Sequence, residues 1–130
     1  FTLASSAGEF FAPILVNATG PWMDEVNTRY DLPARYHIRK VSGIHLIFDG
    51  LIVPELMFMQ TKEKRIFFII PEPENDQTII GTTEREEYCQ MSEVQPQEED
   101  VQYLLDQVNV YLNPEHQFQR TDVRDIYIGV

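Results

Sequence analysis

The sequence predicts an α+β fold, a largely antiparallel sheet accompanied by one short and one long helix. Three observations carry that reading. Apolar runs of strand length follow one another with short turn signals between them, which suits hairpins rather than long crossovers. One segment, residues 98–113, repeats apolar residues at helical spacing over several turns. Finally, the apolar run Ile14-Leu15-Val16 passes through Asn17-Ala18-Thr19-Gly20-Pro21 into a short amphipathic stretch. This is a strand–turn–helix junction, the kind that holds phosphates and cofactors against backbone N–H groups.

Taken in chain order, residues 1–5 and 10–16 read as a β-hairpin around the polar, Gly-containing turn 6–9. Residues 22–30 form a short helix, which Leu32-Pro33 breaks. Residues 36–48 read as a long strand with Gly43 inside it, and Asp49-Gly50 marks a turn. Residues 51–60 are mixed and contain a strand at 56–60. Residues 65–70 include Ile66-Phe67-Phe68-Ile69-Ile70, an unbroken apolar run that predicts a strand buried on both faces. An acidic turn at 71–77, a strand at 78–83 and an acidic loop at 84–97 follow.

The long helix at 98–113 places Val101, Leu104, Leu105, Val108 and Leu112 on one face. Glu98, Glu99 and Asp100 sit in its first turn, where the helix dipole favours negative charge, and Pro114 stops it. Strand character resumes at 125–130. The predicted order is β-β-α-β-β-β-β-α-β. Both ends of the chain fall within strand patterns and residue 1 is Phe rather than Met, so the chain is expected to be a piece of a longer protein.

Composition narrows the function classes. At 130 residues the chain has the length of one domain, and 43% hydrophobic with 12% aromatic residues is enough to fill a core. No run approaches the roughly 20 apolar residues that span a bilayer. The single Cys89 excludes an internal disulfide, fits a reducing compartment and reads as a spectator thiol. The net charge of −11 is unevenly spread. Residues 1–69 carry seven acidic and seven basic groups, whereas residues 70–130 carry fourteen acidic and three basic. A nucleic-acid partner is excluded, because it requires a basic footprint. Arg35, Arg39, Lys40, Lys62, Lys64 and Arg65 are the cations able to help hold an anionic small molecule, or else are solvated surface charges. Three scattered His and one Cys lack metal-ligand spacing, so no metal is expected.

Six stretches occur together in one order: Val16-Asn17-Ala18-Thr19-Gly20-Pro21-Trp22, Gly43-Ile44-His45-Leu46-Ile47, Lys64-Arg65-Ile66-Phe67-Phe68-Ile69-Ile70-Pro71, Ile80-Gly81-Thr82-Thr83-Glu84, Asp100-Val101-Gln102-Tyr103-Leu104-Leu105 and Tyr127-Ile128-Gly129-Val130. Singly each is weak. In register over nearly the whole chain they resemble the FAD-dependent, quinone-linked aerobic glycerol-3-phosphate dehydrogenases, within the D-amino-acid-oxidase-like flavoproteins. The resemblance implies that residues 1–30 are the last hairpin and helix of an FAD domain and that residues 31–130 are a truncated substrate-binding domain. It implies FAD as cofactor and oxidation of sn-glycerol 3-phosphate to dihydroxyacetone phosphate in glycerol metabolism, with electrons passing to a quinone. It further implies a cytoplasmic parent, peripheral at the inner face of the membrane. The family's Gly-rich pyrophosphate fingerprint is not in these residues, and its Arg-Pro-Leu continuation would lie beyond Val130. The chain alone is therefore expected to be inactive.

The same resemblance implies roles. Asn17, Ala18, Thr19 and Gly20 would place backbone and a hydroxyl beside the flavin nucleotide; the plain alternative is an ordinary strand-to-helix turn. Trp22 reads as core packing at the helix start. His45 shares strand parity with Arg39, Val41 and Ile47 and is the catalytic candidate. An imidazole can take a hydroxyl proton while hydride leaves the carbon. Without the resemblance, a lone His in an apolar strand reads as a core histidine. His37 and His116 read as surface residues. Arg65, Thr82 and Thr83 are candidate substrate contacts, against a strand-end cation and plain strand-forming residues. Two departures stand out: Ser42 occupies the position where family members commonly carry Lys, and Glu84 the position where they commonly carry Asp.

Other readings are an oxygen-using glycerol-phosphate oxidase, another FAD-dependent amine or hydroxy-acid oxidoreductase, and a standalone interaction domain without chemistry. Excision from an FAD domain would leave apolar surface exposed, with self-association through strand edges expected.

Overall fold

The structure, a computed structural model, describes residues 1–130. It is α+β, with antiparallel sheets throughout and two α-helices. The chain forms two compact units, Phe1–Ile38 and Arg39–Val130.

The first unit begins with the expected hairpin, β1 (Thr2–Ser5) against β2 (Gly8–Phe11). Gly8 supplies the positive φ of +122° that the turn requires, and the Ser5 hydroxyl accepts the Ala7 N–H at 3.1 Å. The second strand is shorter than the predicted 10–16. Pro13 has no N–H to give to a ladder, and Ile14, Leu15 and Val16 run on without a strand partner. A single 3₁₀ turn (Gly20–Trp22) with Pro21 near its start leads into α1 (Met23–Arg29). Asp31, at φ +50°, turns the chain out of that helix ahead of Pro33.

The second unit is a six-stranded sheet with one helix packed on one face. Its strands are β3 (Val41–Asp49), β4 (Met57–Gln60), β5 (Ile66–Glu72), β6 (Gln77–Gly81), β7 (Arg85–Glu86) and β8 (Val123–Gly129). β3 is central and pairs with β6, β7 and β8, while β5 joins β6 to β4. The core lies between the sheet and α2 (Glu98–Asn109). Ile44, Leu46 and Phe48 of β3, Phe67 and Ile69 of β5, and Ile80 of β6 are buried together with Val101, Leu104, Leu105 and Val108 of α2. The predicted apolar helix face is therefore the face that packs.

Several boundaries differ from expectation. β3 begins at Val41, not at 36: residues 36–40 are not part of the ladder, although the Lys40 carbonyl accepts the Glu87 N–H at 3.0 Å. β5 is not buried on both faces: Phe67 and Ile69 are enclosed, whereas Ile66 is exposed and Phe68 half-exposed, since only one face of the sheet carries a helix. β5 also runs on through Pro71 to Glu72, so the acidic turn is the single 3₁₀ turn Pro73–Asn75 and the turn residue Asp76. The loop at 84–97 contains the short strand β7 and a 3₁₀ turn, Met91–Glu93. α2 stops at Asn109, ahead of Pro114: the Asn109 side chain donates to the Phe118 carbonyl at 2.9 Å and accepts the Phe118 N–H at 2.8 Å. That clamp turns the chain back toward the core, where Phe118 meets Phe48 with ring centroids 4.6 Å apart. The last strand starts two residues earlier than predicted, at Val123.

Candidate functional site

Alternation along β3 sends Ile44, Leu46 and Phe48 toward α2 and leaves Val41, Gly43, His45 and Ile47 on the opposite, helix-free face. Register then assembles a row across that face. Phe58 pairs with Phe68, Phe68 with Gly81, Gly81 with His45, and His45 with Tyr127. Phe58 and Phe68 meet edge to face with centroids 4.9 Å apart. His45 is thus half-buried in an aromatic row whose only bare position is its own neighbour, Gly81.

Two glycines allow the close approach here. A Cβ built on Gly81 would lie 2.5 Å from His45 Cδ2 and 2.9 Å from Cγ, so the imidazole lies over the Gly81 backbone. A Cβ on Gly43 would lie 2.3 Å from Thr82 Oγ1 and 2.6 Å from the Thr83 carbonyl oxygen. Residues 81–83 therefore press directly on β3, and the Gly81–Thr82 peptide is cis. The Thr83 side chain is buried and its Oγ1 accepts the Ile44 N–H at 3.0 Å. Thr82 is exposed, with its hydroxyl donating to the Thr83 carbonyl at 3.1 Å. Arg65, just ahead of β5, is half-exposed; it donates to the Glu84 carbonyl at 3.4 Å and its Nη2 lies 3.5 Å from the Glu84 carboxylate. Glu84, the departure from the family's Asp, serves as the partner of Arg65.

The structure thus gathers His45, Arg65, Thr82 and Thr83 at one end of one sheet. It separates their chemistry as well. Thr83 is committed to holding β3 and the Thr82 hydroxyl donates to the Thr83 carbonyl, whereas Arg65, though paired with Glu84, stays half-exposed beside the partly exposed His45 strand. Burial pushes the His45 pKa below its ordinary value, which favours the neutral, proton-accepting form of the imidazole. His37 and His116 are at the surface, as expected. No cluster of three or more His, Cys, Asp or Glu side chains has the geometry to hold a metal ion.

Ser42, the other departure, faces the core side. Its hydroxyl donates to Glu87 at 2.5 Å, and Glu87 also pairs with Arg85, whose guanidinium reaches Asp100 at the start of α2 and the Gln95 carbonyl. The Ser42 hydroxyl, ahead of the Arg85 charge, holds the Glu87 carboxyl below its usual range. Sequence reading missed this network, since nothing in the linear order pairs position 42 with 87; the charges of the segment 84–87 were its only signal.

In the first unit, Asn17 closes the junction. Its Nδ2 donates to the Met23 carbonyl at 3.2 Å and to Asn27 Oδ1 at 2.9 Å, and its Oδ1 accepts the Thr19 N–H at 3.2 Å and the Thr19 hydroxyl at 2.6 Å. Gly20 sits at φ +56° with open space where a Cβ would stand. A groove of about 620 Å³ runs past these residues, with Leu3, Val16, Asn17, Thr19, Val26 and Tyr30 in its wall. Trp22 is not core packing: it is about half exposed and lines a neighbouring cleft with Glu25 and Arg29. The 3₁₀ turn points it away because α1 has no buried residue to pack it against.

Residues 2–130 match the FAD dependent oxidoreductase family. The chain belongs to that family. Among relatives of this FAD-dependent oxidoreductase chain, a probable mitochondrial glycerol-3-phosphate dehydrogenase of Dictyostelium discoideum is 31% identical over 122 residues, 92% of this chain and 19% of the relative. An aerobic glycerol-3-phosphate dehydrogenase of Escherichia coli is 34% identical over 89% of this chain and 23% of its own length. An alpha-glycerophosphate oxidase of Lactococcus lactis is 30% identical over 94% of this chain and 20% of its own length. The chain therefore spans about a fifth of the length of the relatives it matches. A crystal structure of the glycerol-3-phosphate dehydrogenase from Bacillus halodurans complexed with FAD superposes with a TM-score of 0.78 at 25% identity, covering 93% of this chain and 24% of that one. The family fits what the first unit offers. A dinucleotide needs an open groove beside a backbone free of side-chain obstruction, and Gly20 with its empty flank and the 620 Å³ groove meet that requirement.

Proposed function

We propose that this chain is part of an FAD-dependent glycerol-3-phosphate dehydrogenase that oxidises sn-glycerol 3-phosphate to dihydroxyacetone phosphate. Residues 1–30 belong to its FAD domain and residues 31–130 to its substrate domain. The observation that carries the reading is the half-buried His45 on the helix-free sheet face, in a family whose relatives are named for this substrate.

Asn17 and Thr19, in the wall of the groove, and Ala18 and Gly20, beside them in the chain, would contact the cofactor. With the Asn17 and Thr19 side chains engaged in the turn, their contribution is shape and backbone rather than side-chain hydrogen bonds. FAD, when bound, supplies the hydride acceptor. His45 takes the proton from the C2 hydroxyl oxygen as the C–H bond breaks, and its low pKa keeps it ready to do so at neutral pH. Thr82 offers an exposed hydroxyl to the substrate, and Arg65 a cation near its phosphate. Electrons then pass to a quinone of the membrane at whose inner face the protein works. No helix of this chain is long and apolar enough to cross a membrane.

A second reading, with oxygen as the acceptor, is favoured by the similarity to the Lactococcus oxidase. The test uses the full-length protein in anaerobic buffer. Addition of glycerol 3-phosphate should bleach the flavin absorbance, and His45→Ala should slow bleaching by about 10²–10⁴-fold. A flavin that stays oxidised rejects the substrate. Readmitted air then separates the acceptors: stoichiometric peroxide marks the oxidase, whereas reoxidation only with an added quinone marks the dehydrogenase.

A further inference from the structure

We infer that Gly81 is a positioning residue for His45: by carrying no side chain, it lets the imidazole lie across β6 and so fixes the direction in which the ring faces. The inference rests on the reading of His45 as the proton acceptor, but the geometry behind it is independent of that role.

The row across the helix-free face explains why this position matters. Directly opposed residues of an antiparallel pair project from the same face, with Cβ atoms about 5 Å apart. His45 therefore has two cross-strand neighbours, Tyr127 on one side and Gly81 on the other. Tyr127 stands on its side. On the other side the row continues to Phe68, so the space above Gly81 is a gap one residue wide between an imidazole and an aromatic ring. The ring occupies that gap: the virtual Cβ of Gly81 falls 2.5 Å from His45 Cδ2 and 2.9 Å from Cγ, distances at which two carbons cannot coexist. Any side chain at 81 would push the imidazole up and outward. Backbone freedom is not what requires glycine here, because Gly81 is not among the glycines with positive φ. The requirement comes from the space above the residue, which the ring fills and the Ile44 carbonyl oxygen borders.

Few other groups hold His45. Thr83, two residues on, fixes the Ile44 N–H and hence the backbone next to it. Among the charged groups of the surrounding strands, Asp125 follows on β8 and the Arg65–Glu84 pair lies beyond β6. Burial lowers the His45 pKa, so a change in how deep the ring sits shifts its titration.

The experiment is histidine NMR of this chain and of Gly81→Ala. The displaced imidazole gains water, so its titration midpoint should move upward toward the ordinary value. An unchanged His45 midpoint in the folded variant overturns the inference. A Cβ at 81 also approaches the Ile44 carbonyl oxygen, at 2.9 Å, so unfolding is measured in parallel for Gly81→Ala in the presence and absence of His45→Ala. Removing the ring should recover a large part of the stability that Gly81→Ala costs. An equal loss in both backgrounds assigns the glycine to the Ile44 backbone and overturns the inference as well. In the full-length enzyme, Gly81→Ala should lower kcat by about tenfold or more with little change in KM, as misplacement of a reacting group does. Turnover that survives His45→Ala would sink the proposed role of His45 and leave the titration result standing.

Discussion

His45 is set apart from the other two histidines by a single physical effect, partial burial. A histidine that is harder to protonate when folded binds its proton more readily when unfolded. The sign follows: its contribution to stability is complete above the ordinary value of 6.5 and is lost as pH falls below it. Unfolding in urea at pH 7.5 and pH 5.5 should therefore show a loss of stability at the lower pH that is smaller in His45→Gln, which has no proton to gain. An identical pH dependence in the two chains would remove burial as the cause. Asn17 works differently, by satisfying a turn. One side chain accepts two hydrogen bonds from Thr19 and donates to Met23 and Asn27, so Asn17→Ala strips several partners at once. A cost of about 1–2 kcal/mol is expected by denaturant titration, borne by the first unit.

At the scale of elements, the sheet and α2 depend on each other. One face of β3, β5 and β6 is apolar and α2 covers it, with Leu104 fully enclosed. Leu104→Ala should cost about 3–4 kcal/mol, since the surrounding strands cannot collapse into the space left. A loss below about 1 kcal/mol in thermal or chemical unfolding would mean that the helix is not the lid of this core. The start of the same helix is tied to β3 and β7 by the chain of groups Ser42, Glu87, Arg85 and Asp100. That tie stands on the core side of β3, three residues before His45 at the middle of the strand. The two faces of one strand thus divide the work, one anchoring the element and the other presenting its chemistry.

At the scale of the whole molecule, large apolar side chains lie in the open. Phe1, Leu3, Phe10 and Phe11 of the hairpin are more than half exposed, and so are Ile14 and Val16 after it. Surface of this kind drives association, and the short edges of a two-stranded ribbon accept further strands. The net charge of −11 opposes it. The expected outcome is a concentration-dependent increase in sedimenting mass that strengthens as salt screens the charge. A monomer at every concentration and salt would show that these residues are protected in a way their exposure does not reveal.

The sequence by itself determined the class of fold, the order of most elements and the face by which α2 packs, because those depend on local periodicity and on Pro, Gly and turn chemistry. It also pointed to residues 17–20 and His45, through motifs that keep their order. It overextended the strands at 10–16 and 36–48, where residues of strand type lack a partner, since pairing is not a property of one segment. It read the run from Ile66 to Ile70 as enclosed on both sides, since hydrophobicity does not say whether a second layer exists. Only the tertiary structure decided that Gly81 stands opposite His45, that Thr83 holds the Ile44 N–H while Thr82 stays open, and that Ser42 meets Glu87. Each of those depends on strand register. Register is set by how the whole sheet buries one face against α2, and a shift of one residue would turn His45 from the open face into the core.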